Sequence, residues 1–393
     1  MRILRIIPSM NPQLGGPCQG IRNIVPFLMQ QGIVNEVVCL DPPNAPYLGK
    51  DSFSIIPLGP AKTAWDYSST LSKWLLNHVN NYHVVIIHGL WLYHSYATMK
   101  VLRALELHNQ KRPKVFIMPH GMLDPWFQKA LSRRLKAIRN EIYWRLIERQ
   151  VVNQADGLLF TCEEELLLAR TTFKGYQPKQ ELNIGYGIAP PPAHTAAMDE
   201  AFRQQLDRPV STYWLYLSRI HEKKGLDLLL SAYQQLWNEQ TNIPDLVIAG
   251  PGIESAFGQH IAKMIANDPI LQKYVHVVGM LTGDTKWGAL YNCEAFVLPS
   301  HQENFGIAVV EALACGKPVL ISNQVNIWRE IEQTGTGIVD KDDLDGIFQT
   351  LKKWILLSSS EKEKMRGNAY KCYQQKFHIT TAAIQLIEVL GEK

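Results

Sequence analysis

The sequence predicts an α/β protein built from two Rossmann-like, doubly wound domains that face a central cleft. Short β-rich runs alternate with longer helical patterns along all 393 residues, and at roughly 100–200 residues per domain this length predicts two domains. Several strands are continuous apolar runs, such as VVII and LVIAG, which is typical of strands buried on both faces of a parallel sheet. Alternating strands and helices of this kind give sheets covered by helices on both sides.

The predicted strands divide evenly between two halves of the chain. Those of the first half span residues 2–8, 36–40, 53–57, 83–88, 114–119 and 157–161. Those of the second half span residues 213–218, 246–250, 274–278, 295–299, 318–321 and 337–339. Between the halves, IAPPPAHTAAMDE has three consecutive prolines, which is typical of a linker. We therefore predict a first domain at 1–187 and a second at 188–377, with ligands in the cleft outside the carboxyl ends of the strands.

Composition and charge exclude several other classes of protein. Apolar residues make up 46% and charged residues 19% of the chain, which excludes disordered, collagen-like and coiled-coil sequences. The net charge of +4 favours anionic ligands only where basic residues cluster. No apolar run reaches about 18 residues, and the first residues lack a signal-peptide pattern. The six cysteines have no paired spacing, so we expect thiols in a cytoplasmic chain.

The densest group of candidate site residues lies in SHQENFGIAVVEALACGKPVL, residues 300–320. A loop with Glu303 follows a predicted strand, and a helix with Glu311 follows the loop. At a rise of about 1.5 Å per residue the two carboxylates lie roughly 10 Å apart, too far to share one proton or one metal ion. The first N–H groups of the helix, at 304–307, attract phosphate. The pattern predicts an elongated ligand held at both ends, and the alternative is two solvated glutamates.

Two cations follow a strand in LSRIHEKKGLDLLLSAY, residues 217–233. Arg219 comes directly after the strand, and Lys224 precedes Gly225 and an amphipathic helix. A guanidinium and an ammonium group at one strand end are suited to neutralising a diphosphate. The alternative is a solvated basic loop.

These motifs resemble the retaining, nucleotide-sugar-dependent glycosyltransferases of family 4, which have the GT-B fold. The resemblance covers nearly the whole chain and is most specific in SRIHEKKG, LVIAGPG, VHVVGML and ENFGIAVVEALACGKPVL. It implies that Glu303 contacts hydroxyls of the donor sugar and that Glu311 binds the ribose. It also implies that Arg219 and Lys224 bind the diphosphate.

Further donor contacts implied by the resemblance come mainly from the backbone. They are Asn304, Phe305, Gly306 and Ile307 beside the phosphate and sugar, and Gly279, Met280 and Leu281 beside the base. By the same resemblance, a C-terminal helix within 378–393 crosses back to the first domain.

The first half offers a glycine loop after its first strand. Gly15 and Gly16 let the backbone approach a ligand closely, and glycosyltransferases of this fold often carry such a loop near the donor phosphate. An ordinary tight turn is the alternative. Family members usually have Asn before the glycine in LNIGYGIAP, whereas this chain has Tyr186, so we assign that loop no ligand contact.

Two histidines follow strands of the first half. His120 ends the strand KVFIMP, and the family has a histidine at this strand end, beside the sugar. His88 and Trp91 occupy a parallel position in HGLWLYHS, where aromatic neighbours suggest an acceptor subsite. For each histidine the alternative is a hydrogen-bonded core residue.

Residues 126–149 predict a basic amphipathic helix. Apolar residues recur at helical spacing, namely Leu131, Leu135, Ile138, Ile142 and Leu146. Seven Lys and Arg residues lie from Lys129 to Arg149, against two glutamates, and Trp126, Phe127 and Trp144 add interfacial aromatic side chains. Such a helix is suited to an anionic membrane that carries a lipid-linked acceptor, at the inner face of the plasma membrane. The alternative is a helix whose apolar face packs on the core.

Acidic triplets near the C-terminus do not indicate a metal site. Asp340, Asp342, Asp343 and Asp345 precede a helical pattern, where carboxylates favour the positive end of the helix dipole. Because Arg219 supplies positive charge together with a neighbouring lysine, we expect neither a metal ion nor another cofactor. The chain also lacks zinc-type spacing and, beyond the basic helix, any feature of nucleic-acid binding.

The sequence therefore predicts a retaining, metal-independent hexosyltransferase, with the retaining outcome implied by the resemblance alone. The residues assigned to catalysis are His120, Glu303, Arg219 and Lys224. UDP-glucose is the preferred donor, and a growing polysaccharide or lipid-linked oligosaccharide is the acceptor. HGMLDPWFQKA and the basic helix resemble bacterial polysaccharide-assembly members, among them the cyanobacterial heterocyst-envelope type. The alternatives are a sugar phosphorylase or UDP-sugar epimerase on the same scaffold, and a non-catalytic nucleotide-sugar-binding protein.

Overall fold

The computed structural model describes residues 1–130, 133–240 and 242–391, which form two compact units. The first unit contains Met1–Ile188 together with the C-terminal residues from Ile379. The second contains Ala189–His378. The sequence-based boundaries lie one residue earlier at each junction.

A parallel sheet forms the centre of the first unit. Its strands are β1 Arg2–Ile6, β2 Val34–Cys39, β3 Ser54–Pro57, β4 Val84–His88, β5 Lys114–Met118, β6 Gly157–Phe160 and β7 Glu181–Asn183. In the described residues the sheet order is β3-β2-β1-β4-β5-β6-β7, with every neighbouring pair parallel. The helices are α1 Gly16–Gln30, α2 Leu71–His78, α3 Tyr93–Leu107, α4 Trp126–Lys129, α5 Arg134–Tyr143, α6 Arg149–Gln154 and α7 Glu163–Thr172.

The second unit has the same plan. Its strands are β8 Tyr213–Leu217, β9 Asp245–Ala249, β10 Val275–Gly279, β11 Ala295–Leu298, β12 Val319–Ser322 and β13 Gly337–Asp340. Across the residues described they follow the order β10-β9-β8-β11-β12-β13, again all parallel. The helices are α8 Ala196–Arg203, α9 Leu226–Glu239, α10 Ala256–Ala266, α11 Pro269–Tyr274, α12 Gly283–Asn292, α13 Ile307–Ala314, α14 Trp328–Thr334, α15 Leu344–Leu356 and α16 Ser359–Cys372.

Burial on both faces of the first sheet follows from its apolar strands. All five residues of β4 are buried, and alternate side chains such as Val85 and Ile87 join one continuous core cluster. The opposite face is covered by α1 and by the C-terminal helix α17, Ile379–Gly391, which packs against α1. The predicted doubly wound α/β class is therefore confirmed.

Two local expectations differ from the structure. The edge strand β7 was not among the predicted strands, because it has only three residues and none of them is buried. The single helix predicted near residues 126–149 is divided into α4, α5, a π-helical turn at Trp144–Glu148 and α6. Leu131, counted in its apolar face, lies outside the described residues.

Among the residues described, no helix combines the length and the apolar character needed to cross a membrane.

Candidate functional site

The predicted cations and the first glutamate of the second unit meet where its strand order reverses. From β8 the chain continues to β9 and β10 on one side of the sheet, whereas β11 lies on the other side of β8. Arg219 and Lys224 follow β8, and Glu303 follows β11. In open α/β sheets this reversal point, at the carboxyl ends of the strands, is the usual ligand position.

A short turn fixes the position of Lys224. The 3₁₀ turn Glu222–Lys224 ends at Gly225, which has φ 64°. A Cβ at Gly225 would overlap the carbonyl oxygen of Pro299, so both the backbone angle and the close approach require glycine. The N–H of His301 donates to the carbonyl of Lys223 over 2.9 Å. The turn after β8 and the loop after β11 are therefore fastened to each other.

Lys224 and Glu303 form a direct ion pair. Their side chains keep only 9% and 22% of their exposure. Burial opposes ionisation of Glu303, but the charges of Lys224, Lys223 and Arg219 outweigh it and hold the pKa of this carboxyl below its usual value. The carboxylate is thus ionised at neutral pH, and it lies beside three cations.

The backbone of Glu303 is held on both sides. Its N–H donates to the carbonyl of Gln324, and its carbonyl accepts from the N–H of Asn326, each over 2.9 Å. A short parallel bridge to Val325 continues this pairing beyond β12. The loop after β12 therefore supports the carboxylate, a contact between distant segments that the sequence pattern did not indicate.

Arg219 differs from Lys224 in being exposed and outside any ion pair of the described residues. Its carbonyl accepts a hydrogen bond from the hydroxyl of Tyr216 over 3.3 Å, which holds the backbone while the guanidinium stays accessible. An accessible guanidinium next to a buried ammonium suits a ligand with more than one anionic oxygen.

The helix α13 begins beside this group. Its N-cap is Gly306, with φ 79°, and its first N–H groups lack acceptors within the helix. Phe305 is buried with its ring 5.6 Å from that of Phe377, so only its backbone can face a ligand. Asn304 and Ile307 flank the same N-terminus.

Glu311 lies further along α13 and has a partner that sequence analysis missed. Nζ of Lys286, on α12, is 2.9 Å from its carboxylate, and both side chains are mostly buried. Lys286 also stands over the ring of Trp287. Nothing in the spacing of TKWGAL signals this contact, because it joins residues 25 positions apart.

The predicted base-binding stretch begins at the last residue of β10 and continues into the turn that follows. Gly279 has φ 70°, and its carbonyl accepts from the N–H of Gly250 over 2.7 Å. Met280 is 69% exposed, whereas Leu281 is buried. The turn therefore presents one apolar side chain and its backbone to solvent.

In the first unit, Gly15 and Gly16 form the exposed start of α1. Gly15 is the N-cap, with φ 89°. Tyr186 donates from its hydroxyl to the carbonyl of Gly16 over 3.3 Å and packs against Gly20. The tyrosine that departs from the family pattern therefore contacts the glycine loop directly.

His120 lies just beyond β5 in a left-handed turn with φ 54°. The next N–H, of Gly121, donates to the buried carboxylate of Glu165 over 2.6 Å and holds the turn. Nε2 of His120 is 2.9 Å from Nδ1 of His88, and Nε2 of His88 is 3.3 Å from Nη1 of Arg5. Arg5 was not among the predicted site residues, although an arginine at an interior position of the apolar strand RILRI was a visible signal.

Two predicted acceptor residues have partners inside the first unit. His88 is 3% exposed and both of its ring nitrogens are engaged, so it has no group left for an acceptor sugar. The ring of Trp91 lies 5.4 Å from that of Phe173, and the backbone N–H of Trp91 donates to the Glu148 carboxylate over 2.8 Å. Burial raises the pKa of Glu148 to about 7. These contacts give both His88 and Trp91 a structural role within the first unit.

The aspartates near the C-terminus are engaged separately. Asp343 caps α15 by accepting from the N–H of Gly346 over 2.8 Å, as a helix start requires. Asp340 pairs with Lys353, and Asp342 pairs with His301. In the part of the chain that the structure describes, no cluster of three His, Cys, Asp or Glu side chains is arranged to hold a metal ion.

Known proteins resemble both units. The family "Glycosyl transferase 4-like domain" matches residues 15–187, and "Glycosyl transferases group 1" matches residues 197–372. The capsular polysaccharide biosynthesis glycosyltransferase CapM of Staphylococcus aureus is 26% identical over 163 residues, which are 41% of each protein. The chain spans about half the length of the curated relatives it matches.

Solved structures share the whole fold at low sequence identity. A glycosyltransferase from Rickettsia africae has a TM-score of 0.75 at 16% identity, over 99% of this chain and 97% of that one. Anabaena HepE in complex with UDP-glucose has a TM-score of 0.70 at 16% identity, over 100% and 99%. The predicted GT-B fold is thereby confirmed. One glycosyltransferase family therefore matches each unit, and the fold is that of the GT-B glycosyltransferases.

Proposed function

We propose that this protein transfers a hexose from a nucleoside-diphosphate sugar to a saccharide acceptor with retention of configuration. The observation that carries the proposal is the group of Arg219, Lys224 and Glu303 at the strand-order reversal of the second sheet. Two cations beside the N-terminus of α13 match the charge of a diphosphate, and the carboxylate matches sugar hydroxyls. The Anabaena HepE structure, which contains UDP-glucose, supports the same class of donor.

Breaking the bond between the anomeric carbon and phosphate places negative charge on the leaving diphosphate. Arg219 and Lys224 would stabilise that charge, together with the first N–H groups of α13. Because these groups are already in place, little reorganisation accompanies the reaction. In the proposed retaining route the leaving phosphate oxygen takes the proton of the acceptor hydroxyl, which then attacks the same face of the sugar. His120 and Glu303 are assigned to the sugar.

The other end of the donor is assigned to Glu311 and the turn at residues 279–281. A carboxylate that accepts from ribose hydroxyls would exchange its contact with Lys286 for the ligand, or keep both. The exposed side chain of Met280 offers an apolar surface to a base. UDP-glucose is the donor we propose, with other UDP- and GDP-hexoses as competitors. The acceptor we propose is a growing polysaccharide or a lipid-linked oligosaccharide.

A thermal-shift panel of nucleotides and nucleotide sugars tests the donor. Ligand at a hundredfold excess over its Kd stabilises a protein by about 2.7 kcal/mol, so UDP-glucose should raise the Tm more than free glucose does. Lys224→Ala and Glu311→Ala should each abolish most of this shift. Lys352→Ala, which removes an exposed ion pair, is the matched control. A wild-type shift retained in both site variants would contradict the assignment.

Transfer assays test the chemistry. Incubation with UDP-glucose and an oligosaccharide acceptor should release UDP and form a product whose anomeric configuration, read by NMR, equals that of the donor. We expect full activity in EDTA, since positive side chains replace a metal ion in this proposal. Formation of sugar 1-phosphate on addition of inorganic phosphate would favour a phosphorylase instead. Binding without transfer or slow hydrolysis would favour a non-catalytic protein.

We further propose that α5 and the turn that follows it dock on an anionic membrane. Leu135, Ile138, Ile142 and Leu146 are 84%, 60%, 54% and 70% exposed, so this apolar stripe faces solvent and is not packed on the core. Basic residues surround it, including Arg134, Lys136 and Arg145. An apolar stripe among cations is suited to a surface of anionic headgroups.

Vesicle co-sedimentation tests the docking face. The protein should bind vesicles that contain phosphatidylglycerol and not vesicles of phosphatidylcholine alone. The double variant Leu135→Ser/Ile142→Ser should lose this binding. Leu356→Ser, equally exposed on the second unit at 67%, is the control and should bind normally. Unchanged binding of the double variant would contradict the proposed face.

A further inference from the structure

Three polar side chains lie on one face of the first sheet, at the carboxyl ends of three neighbouring strands. Arg5 in β1 is in register with Ile86 in β4, and His88 is two residues further along β4. His88 is in register with Met118 in β5, and His120 is two residues beyond that position. Because side chains alternate between the faces of a strand, Arg5, His88 and His120 follow one another diagonally across the same face.

Arg5, His88 and His120 form a hydrogen-bonded row, and its donors and acceptors determine which ring nitrogen of each histidine carries the proton. A guanidinium only donates, so Nε2 of His88, 3.3 Å from Nη1 of Arg5, must accept. A neutral His88 then carries its proton on Nδ1 and donates to Nε2 of His120 over 2.9 Å. The two rings are nearly coplanar, with planes 20° apart and centroids separated by 5.2 Å, as an in-plane hydrogen bond requires. His120 is left with its proton on Nδ1.

The row is anchored at its other end. Nε of Arg5 donates to Oδ1 of Asn35 over 3.1 Å. The amide nitrogen of Asn35 donates to the carbonyl of Ile33, so the side-chain oxygen is the atom that faces the guanidinium. Arg5 is 2% exposed, and in the described residues no carboxylate pairs with it. The positive charge of Arg5 is therefore not offset by a paired carboxylate, and it acts on the two histidines at full strength.

Electrostatics favour neutral rings throughout the row. Burial, with a smaller contribution from the charge of Arg5, lowers the pKa of His120 to about 3. Burial and the neighbouring His120, Arg5 and His94 lower the pKa of His88 well below its usual value. A protonated imidazole in either position would place like charges against a buried guanidinium. Both rings therefore stay neutral at physiological pH, which is the condition that the proton assignment needs.

We propose that Arg5 and His88 are positioning residues that hold His120 as its Nδ1–H tautomer, so that it meets the donor sugar as a neutral hydrogen-bond donor. This inference rests on the proposed function, in which His120 is assigned to the sugar. In the described residues, Nδ1–H is the only ring group of His120 outside the row. It can donate to a sugar oxygen, and it cannot act there as a base.

NMR of the unliganded protein tests the tautomer independently of activity. In long-range ¹H–¹⁵N spectra of histidine-labelled protein, wild-type His120 should show the Nδ1–H pattern. His88→Phe removes the donor to Nε2, and His120 should then populate the Nε2–H tautomer. His88→Asn places an amide N–H near the original Nδ1 and should restore the Nδ1–H form. His94→Gln is the matched control, because His94 is buried beside His88 and its Nε2 donates to the carbonyl of His88 over 2.9 Å.

Kinetics test the consequence for the reaction. In His88→Phe the kcat for sugar transfer should fall about 10- to 100-fold, as for other residues that orient a site group, with little change in the KM for the donor. His88→Asn and His94→Gln should stay near wild type. An Nε2–H tautomer in wild-type His120, or an unchanged kcat in a folded His88→Phe, would overturn the inference. A wild-type protein that shows the Nδ1–H tautomer but binds no nucleotide sugar would instead refute the proposed function.

Discussion

Replacing Lys224 with methionine should leave a buried carboxylate without its nearest cation. Methionine keeps the length of the side chain and removes the ammonium that contacts Glu303. Removing one partner of a fully buried ion pair costs about 3–5 kcal/mol. Here Glu303 retains 22% exposure, and Lys223 and Arg219 also favour its ionised form. We therefore expect the free energy of unfolding to fall by about 2–3 kcal/mol.

A double-mutant cycle assigns this loss to the pair. Glu303→Gln alone leaves Lys224 without its acceptor, whereas the double variant Lys224→Met/Glu303→Gln carries neither charge. The double variant should lose less stability than the sum of the single variants, with a coupling energy of about 2 kcal/mol. Urea denaturation measures all three. The control is Lys352→Met, whose partner Glu239 is 41% exposed, and it should cost less than about 1 kcal/mol.

The stability lost in Lys224→Met should become smaller as the pH falls. A carboxyl whose pKa is lowered by folding contributes stability above its unfolded-state pKa, and this contribution disappears as the pH falls through the folded-state value. For Glu303 the stabilising contribution begins to fall at about pH 4.3, the unfolded-state pKa, and continues to fall below it. The difference between wild type and Lys224→Met should therefore be largest at neutral pH and shrink on acidification. A variant as stable as wild type at neutral pH, or a loss independent of pH, would refute the reasoning.

Two further perturbations test packing and charge elsewhere. In Gly20→Ala the new methyl group would lie 2.8 Å from a ring carbon of Tyr186, so overpacking should outweigh the gain in helix propensity and lower stability by about 1–2 kcal/mol. Tyr186→Phe should recover part of that loss in thermal melts, and no recovery would contradict the clash. His276 lies 2.8 Å from both Asp207 and Asp245, and these carboxylates raise its pKa despite burial. The contribution of His276 to the free energy of unfolding is complete below the unfolded-state pKa of about 6.5 and is lost as the pH rises through the folded-state value. In urea denaturation, His276→Phe should therefore lower the free energy of unfolding more at about pH 5.5 than at about pH 9. Equal losses at both values would contradict this assignment.

Local sequence patterns were sufficient to predict most of the two sheets. Strands such as β4 are buried on both faces, and continuous apolar runs carry that information without any knowledge of partners. The edge strand β7 escaped because its three residues are half-exposed or exposed and have no apolar run. The helix at α5 shows a different limit. Its apolar periodicity predicts a helix correctly, but the same periodicity cannot tell whether the stripe faces the core or solvent.

The candidate site also contains some contacts that the sequence could predict and others that it could not. Arg219, Lys224 and Glu303 could be brought together from sequence because each follows a strand, and parallel strands end at one edge of a sheet. The contact between Lys286 and Glu311 could not, since it depends on how two helices pack. The hydrogen bonds of His88 could not be predicted for a related reason. Its partner Arg5 lies 83 residues away, and only the sheet order brings β1 beside β4.

The two sheets place charge at equivalent positions and treat it differently. At the reversal point of the second sheet, Lys224 and Glu303 compensate each other, so a ligand can compete for either. At the junction of β1 and β4 in the first sheet, Arg5 is buried among neutral acceptors. Burial lowers the pKa of this guanidinium only to about 10, so the side chain remains charged at neutral pH. A buried cation that cannot lose its proton is tolerated only while its neighbours accept hydrogen bonds and carry no positive charge. The stability of the first sheet and the protonation state of His88 therefore depend on the same contact.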